Sequence, residues 1–174
     1  MPEKADGAGG TPEPGGPQAA PQRLPILNAK PVMGPALGDP GTRRRLFDAL
    51  GGRENVEKVV DRFYDRIEDD PELRPVFPRS MVVGRARQKL FLEEWLGGEP
   101  LYSQQIGPWQ LRRRHAPFRV TEAGAARWVE HMEGALHDCG ASDDLASEIA
   151  SLLRPVAFRM VNTAGEADTG SALS

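Results

Sequence analysis

The sequence predicts an all-α domain of four main helices, two antiparallel pairs packed across one another, with flexible extensions at both ends. Three observations predict it. Apolar residues recur at three- and four-residue spacing in four separate stretches, two of them opened by an N-cap residue. No stretch alternates with the period of two that a half-buried strand needs. The composition also shifts abruptly near Thr42, where a Pro/Gly/Ala tract gives way to regularly spaced large apolar residues.

Residues 1–41 include "DGAGGTPEPGGPQAAPQ", which cannot bury enough surface to offset the entropy of ordering, so a flexible extension is expected. Within it "LPILNAKPVM" (24–33) is apolar enough to lie against the domain surface. The domain is expected over 42–162, and "TAGEADTGSALS" from Thr163 reads as a second loose tail. A short helix opens the domain at "TRRRLFDALGG", with Arg43, Arg44 and Arg45 as a solvated helix start. In "ENVEKVVDRFYDRI", Val56, Val59, Val60, Phe63, Tyr64 and Ile67 form one helical stripe. Pro71, Pro75 and Pro78 then break the chain and place Phe77 in a turn. A second helix over about 82–96 sets Gly84, Gln88, Phe91 and Trp95 on one face. "GGEPLYSQQIGP" (97–108) is expected as a long irregular segment, a length associated with function or disorder. Thr121 caps a third helix carrying Ala125, Trp128, Val129, Met132, Leu136 and Cys139 on one stripe. Ser142 caps the fourth, with Asp143 and Asp144 suiting its dipole, Leu145, Ile149, Leu152, Leu153, Val156 and Met160 facing inward, and a kink expected at Pro155.

Composition removes several function classes. A chain of 174 residues with net charge −3 is not a strongly basic nucleic-acid binder. The N-terminus lacks the basic and apolar regions of a secretory signal, and no apolar run approaches membrane-spanning length, so a cytoplasmic protein without membrane contact is expected. Cys139 is the only cysteine, which excludes an intrachain disulfide, a zinc site of paired cysteines and covalent CxxCH haem attachment. No GxSxG or HExxH frame supports a hydrolase.

The chemistry concentrates in "QLRRRHAPFRV" (110–120), three arginines beside one of three histidines. Taken alone, such a histidine is an ordinary solvated feature. A haem, however, needs an imidazole nitrogen for its iron, cationic groups for two propionates and a large apolar pocket. His115, with Arg112 to Arg114, offers the first two, and the helical faces offer the third. Tyr64, Trp128 and Trp95 also pass as plain core aromatics, whereas Gln88, an amide on a face shared with Phe91 and Trp95, is costly to bury without a partner. His131 and His137 read as solvated, and Cys139 as a small core residue.

Taken together, "LFDALGG", "VVDRFYDRI", "LRPVFP", "FLEEWLGG", "LYSQQIGP", "LRRRHAPF" and a tryptophan thirteen residues beyond His115 resemble the truncated haemoglobins, specifically their group II, over about residues 46–162. The resemblance implies a two-over-two helical sandwich, a shortened globin holding haem b (iron protoporphyrin IX). It implies His115 as the proximal iron ligand, Tyr64 as the distal hydroxyl that donates to bound oxygen, and Trp128 as the indole of the distal pocket. Phe77 falls where some members carry a second tyrosine, which removes one donor. Gln88 falls where others carry leucine and adds a polar contact near the ligand, and Gly84 falls at the entry gate. Arg114 and Tyr102 match propionate-holding positions, with Arg112 and Arg119 as looser candidates. Phe91, Leu92, Phe118 and Met132 match haem-contacting positions.

The function so implied is reversible binding of oxygen, carbon monoxide and nitric oxide at five-coordinate iron, with Tyr64, Gln88 and Trp128 acting on the ligand. Nitric oxide dioxygenase or peroxidase-like chemistry is the alternative within the same reading. It needs an external reductase, because no nucleotide-binding motif is present. The family also admits a homodimer. A haem-free helical interaction module using "RRRHAPFR" as a docking patch stays open as a reading of another class.

Overall fold

The computed structural model describes residues 39–163. Residues 1–38 and 164–174, most of the two expected extensions, lie outside the described residues. The described chain forms helices α1 (Pro40–Leu50), α2 (Gly52–Glu68), α3 (Val82–Trp95), α4 (Leu101–Gln105), α5 (Leu111–His115), α6 (Glu122–Asp138) and α7 (Asp143–Phe158), with one 3-10 turn at Arg74–Val76. It contains no strand among the described residues, and no described helix is long and apolar enough to cross a membrane.

Local chemistry sets the helix ends. The Asp39 side chain accepts from the Thr42 N–H at 3.0 Å, Thr121 does the same for Gly124 at 3.0 Å, and Ser142 does so for Leu145 at 3.3 Å. α1 stops at Gly51, whose φ of 100° is left-handed and suits a residue without Cβ. The chain turns there straight into α2, whose stripe of Val56, Val59, Val60, Phe63, Tyr64 and Ile67 is buried throughout. Each such side chain contributes about 1.5–3 kcal/mol on burial.

The helices form a two-over-two sandwich. α2 packs on α3, α6 packs on α7, and α2 lies against α6, while α1 braces α2 and α7. Trp95, Phe63, Leu46, Ile67, Leu92, Met132, Ile149 and Leu153 fill the space between the layers. α7 continues through Pro155 to Phe158.

Two sequence expectations need correction. Segment 97–108 is not irregular throughout, because α4 forms there with Tyr102 buried at its centre. Five helical residues flanked by proline and glycine are too few to show a period, and the turn is stabilised from outside. The Glu94 carboxylate accepts from the Ser103 N–H at 2.8 Å, from the Ser103 hydroxyl and from Trp109 Nε1 at 2.9 Å. The arginines at the start of α1 are likewise not simply solvated. Arg43 Nη1 donates to the Trp95 carbonyl at 2.6 Å and Arg44 Nη1 to the Gly97 carbonyl at 3.3 Å, satisfying oxygens that the end of α3 leaves without helical partners. Burial pushes the Arg43 pKa down, opposed by nearby Asp39. Arg45 does reach the surface, where it pairs with Glu148 at 2.5 Å.

Candidate functional site

A cavity of about 370 Å³ opens between α3, α5, α6, α7 and the 3-10 turn, within the usual range for small-molecule and cofactor sites. A larger concavity of about 870 Å³ lies beside it. That one is an open groove sharing Phe77 and Phe118 but lacking His115, Tyr64 and Gln88.

On one side of the cavity stands His115, the last residue of α5. Leu111 and His115 are four residues apart, so they share the inward face of this single turn and leave Arg112 and Arg113 facing solvent. His115 Nδ1 lies 2.8 Å from the Leu111 carbonyl. A carbonyl only accepts, so Nδ1 carries the proton and Nε2 of the neutral ring keeps its lone pair. The segment holding this histidine is braced at both ends. Gln110 enters α5 at φ 40°, the one non-glycine residue with positive φ among the described residues, and such strained residues concentrate at functional sites. After α5, Asn162 donates to the carbonyls of Phe118 at 2.9 Å and His115 at 3.3 Å, and accepts from the Val120 N–H at 3.1 Å.

Across the cavity are Tyr64, Phe77, Gly84, Gln88, Phe91 and Trp128. The Tyr64 ring meets Phe77 edge-on at 6.1 Å and Phe63 at 5.5 Å, and Phe63 in turn meets Trp128 at 5.1 Å. This aromatic chain fixes α2 against α6. The Tyr64 hydroxyl has no hydrogen-bond partner among the described residues. Burial pushes its pKa up to about 12, with Arg85 acting in the opposite direction, so the group stays a protonated donor at physiological pH. A Cβ built on Gly84 would stand 3.0 Å from this hydroxyl, and the missing side chain therefore leaves the oxygen its room. Gln88 Nε2 is buried without a hydrogen-bond partner, a state that native proteins avoid unless something else fills the role.

Arg87, Arg114 and Arg119 stand on the cavity wall with Tyr102. Arg114 donates from Nε to the Trp109 carbonyl at 3.1 Å and lies 5.6 Å over the Tyr102 ring. Phe91 packs edge-on to Tyr102 at 6.1 Å and to Trp109 at 5.3 Å.

The cavity wall thus brings together His115, Tyr64, Phe77, Gln88, Phe91, Tyr102, Arg114, Phe118 and Trp128. It does not include three other expected residues. Leu92 and Met132 are fully buried in the helical core, the first one step round α3 from Phe91 and the second one turn beyond Trp128. Arg112 is exposed on the outer face of α5. The wall also holds residues that sequence reasoning passed over, among them Arg87, Val83, Leu111 and Met160. Arg87 had a signal: it stands three residues after Gly84 and four before Phe91, on their face.

His131 is not solvated as expected. Its Nε2 lies 2.5 Å from Oδ2 of Asp70, a residue only 4% exposed. Asp70 also accepts from Arg127 Nε at 2.5 Å and from the N–H groups of Glu72 at 2.8 Å and Leu73 at 3.0 Å. It therefore ties the wall-forming turn to the helix that bears Trp128. His137 is exposed, 3.5 Å from Asp143, and Cys139 is partly buried, with burial pushing its thiol pKa up.

Residues 45–162 match the family of bacterial-like globins. The chain is 35% identical over 125 residues to the group 2 truncated hemoglobin YjbI of Bacillus subtilis, covering 72% of this chain and 94% of that protein. Among solved structures it is similar to the group II truncated hemoglobin of Bacillus anthracis, with a TM-score of 0.67, 38% identity and coverage of 72% of this chain and 95% of that one. It is also similar to the truncated oxygen-avid haemoglobin of B. subtilis, with a TM-score of 0.63, 35% identity and coverage of 67% and 98%. The matched span, the sandwich of helices and the cavity set between them agree, and the chain belongs to the bacterial-like globins as a truncated haemoglobin of group II.

Proposed function

We propose that the cavity would hold haem b through His115 as the proximal ligand, and that the protein binds oxygen and related diatomics reversibly at the haem iron. The observation that carries this is the His115 Nδ1 contact with Leu111, which leaves Nε2 as the ligating nitrogen on the cavity wall. The remaining residues fit the group. Arg87, Arg114 and Arg119 supply cations for two propionates, Phe91, Phe118 and Met160 supply apolar walls, and the orphaned Gln88 amide lacks only a polar occupant.

Bound haem supplies an iron with one open position for a small ligand. Tyr64 holds its proton at Oη and is free to donate it to a ligand on which negative charge gathers. The Trp128 indole N–H is a second donor on the cavity wall, and the Gln88 amide modulates the contact. The oxygen-avid relative from B. subtilis fits such a donor set. A pocket that holds oxygen tightly serves poorly for simple oxygen delivery. Oxidation of nitric oxide or reaction with peroxide is the second role open to it, with electrons from an external reductase.

The test is spectroscopic. The full chain loaded with haem should show a Soret band that shifts with carbon monoxide after reduction, and an oxygen spectrum that reverses on deoxygenation. Absence of both contradicts the proposal.

Two variants report on the distal side. A hydrogen bond to a charged partner contributes about 1.5–3 kcal/mol, so Tyr64→Phe should speed oxygen dissociation roughly ten- to hundredfold in stopped-flow displacement by carbon monoxide. Gly84→Leu places bulk at the cavity mouth and against the Tyr64 hydroxyl. It should slow carbon monoxide association several-fold after flash photolysis, and an unchanged rate would place the entry path elsewhere.

A further inference from the structure

Propionate binding does not account for all the positive charge around the cavity. The two segments that face each other across it, 79–92 and 100–121, carry eight of the chain's 22 basic residues and none of its 25 acidic ones. Everything else therefore holds 14 basic against 25 acidic residues. Two of the eight are neutralised locally: Arg85 lies 3.1 Å from Asp65, and Lys89 lies 2.8 Å from Asp61. Arg87, Arg114 and Arg119 line the cavity. Arg79, exposed in the loop before α3, does neither, and nor do Arg112 and Arg113. Both are exposed on the outer face of α5 and meet no carboxylate among the described residues, the contact of Arg113 being Gln110 Oε1 at 3.4 Å. Elsewhere Arg44, Arg45, Arg53, Arg62, Arg66 and Arg127 each meet an acidic partner, whereas Arg74 donates to backbone carbonyls and Arg154 lies over the Phe158 ring. On the opposite lip, Val82 and Val83 are 74% and 58% exposed at the start of α3, and Val83 also lines the cavity.

We propose that the rim of this cavity is a docking surface for an acidic protein carrying a one-electron redox centre, with Arg112 and Arg113 on one lip as steering charges and Val82 and Val83 on the other as the apolar contact. A small apolar patch within a charged rim is the anatomy of a transient interface, and complementary charge raises the rate of encounter. Nucleic acid is the poorer match, because the whole chain is acidic, with a pI near 5.7. The inference rests on the haem reading, since an oxidised iron needs an electron returned and the chain has no nucleotide-binding motif of its own. One electron passes from a reduced iron–sulfur cluster to ferric iron, leaving the cluster oxidised and the iron ferrous, with no bond made or broken.

The probe is an acidic plant-type [2Fe–2S] ferredoxin and the full-length, haem-loaded protein. Calorimetry with oxidised ferredoxin should show binding that weakens as salt rises. The double variant Arg112→Glu/Arg113→Glu should weaken it about tenfold and slow reduction by reduced ferredoxin in proportion. Carbon monoxide rebinding should stay unchanged, showing the haem pocket intact. Arg112→Gln/Arg113→Gln should give a smaller loss of the same sign. Binding that is absent, insensitive to salt or equal in the variants overturns the assignment, as does tighter binding of a DNA duplex at the same arginines. A wild-type chain that takes up no haem defeats the haem reading instead, and that failure shows in the Soret band before any ferredoxin is added.

Discussion

His115→Gly should lose its bound haem on purification, and added imidazole should restore it. The glycine leaves a gap where the ring stood, and free imidazole fits it and offers the same nitrogen. Loss of an outer-sphere partner of a metal-bound histidine costs about 10–100-fold in affinity, so removal of the ligand itself should cost more. The structure also predicts which nitrogen acts, because Nδ1 is committed to the Leu111 carbonyl. Haem content after purification, with and without imidazole, is the measurement. Equal haem content in wild type and variant would place the iron ligand elsewhere.

Asp70→Ala should be the most destabilising single change outside the hydrophobic core. Burial works against the Asp70 charge, but hydrogen bonds from Arg127, His131 and the Leu73 and Glu72 amides outweigh it and hold the carboxyl well below the usual carboxylate range. Alanine leaves the buried Leu73 N–H unsatisfied and strips a partner from both side chains of α6. The Arg127 side chain is 40% exposed and regains water, so the cost is about 2–3 kcal/mol, below that of a fully buried pair. This corresponds to a fall in Tm of roughly 10 °C by calorimetry. Asp70→Asn retains an acceptor for the two amides and should lose less. The pH dependence has a fixed sign. A carboxyl whose folded pKa is depressed contributes fully above its unfolded value of about 4, and that contribution is lost as pH falls below it. Wild type should therefore lose stability across this acidic range more steeply than Asp70→Ala. Parallel curves would show that the network carries no net stabilisation.

The same network shows where sequence reasoning stopped. Helix stripes and side-chain caps are local, so α2, α3, α6 and α7 and the roles of Thr121 and Ser142 were legible from spacing. Gln88 could be singled out as an amide on an otherwise apolar face and His115 as a histidine among arginines beside a proline stop, whereas Tyr64 was marked only by the family resemblance. By contrast, Asp70 meets Arg127 and His131 across 57 and 61 residues, and Arg43 meets Trp95 across 52. No periodicity carries such pairings, and a charged residue at a helix end looks solvated until the partner helix is placed. α4 escaped notice for a related reason, since its one turn is held by Glu94 from outside and not by its own pattern. Leu92 and Met132 show the opposite limit. Their apolar character marked them as inward-facing, but spacing alone does not separate the cavity wall from the core behind it.

The most direct test of the account is a titration of the haem-free full chain with ferric haem, followed by reduction and carbon monoxide. One equivalent should saturate a Soret band, and the reduced spectrum should be that of a five-coordinate ferrous iron with a histidine ligand, shifting on addition of carbon monoxide. A chain that folds to the same helical content yet takes up no haem, or whose spectrum is unchanged when His115 is replaced, would contradict it.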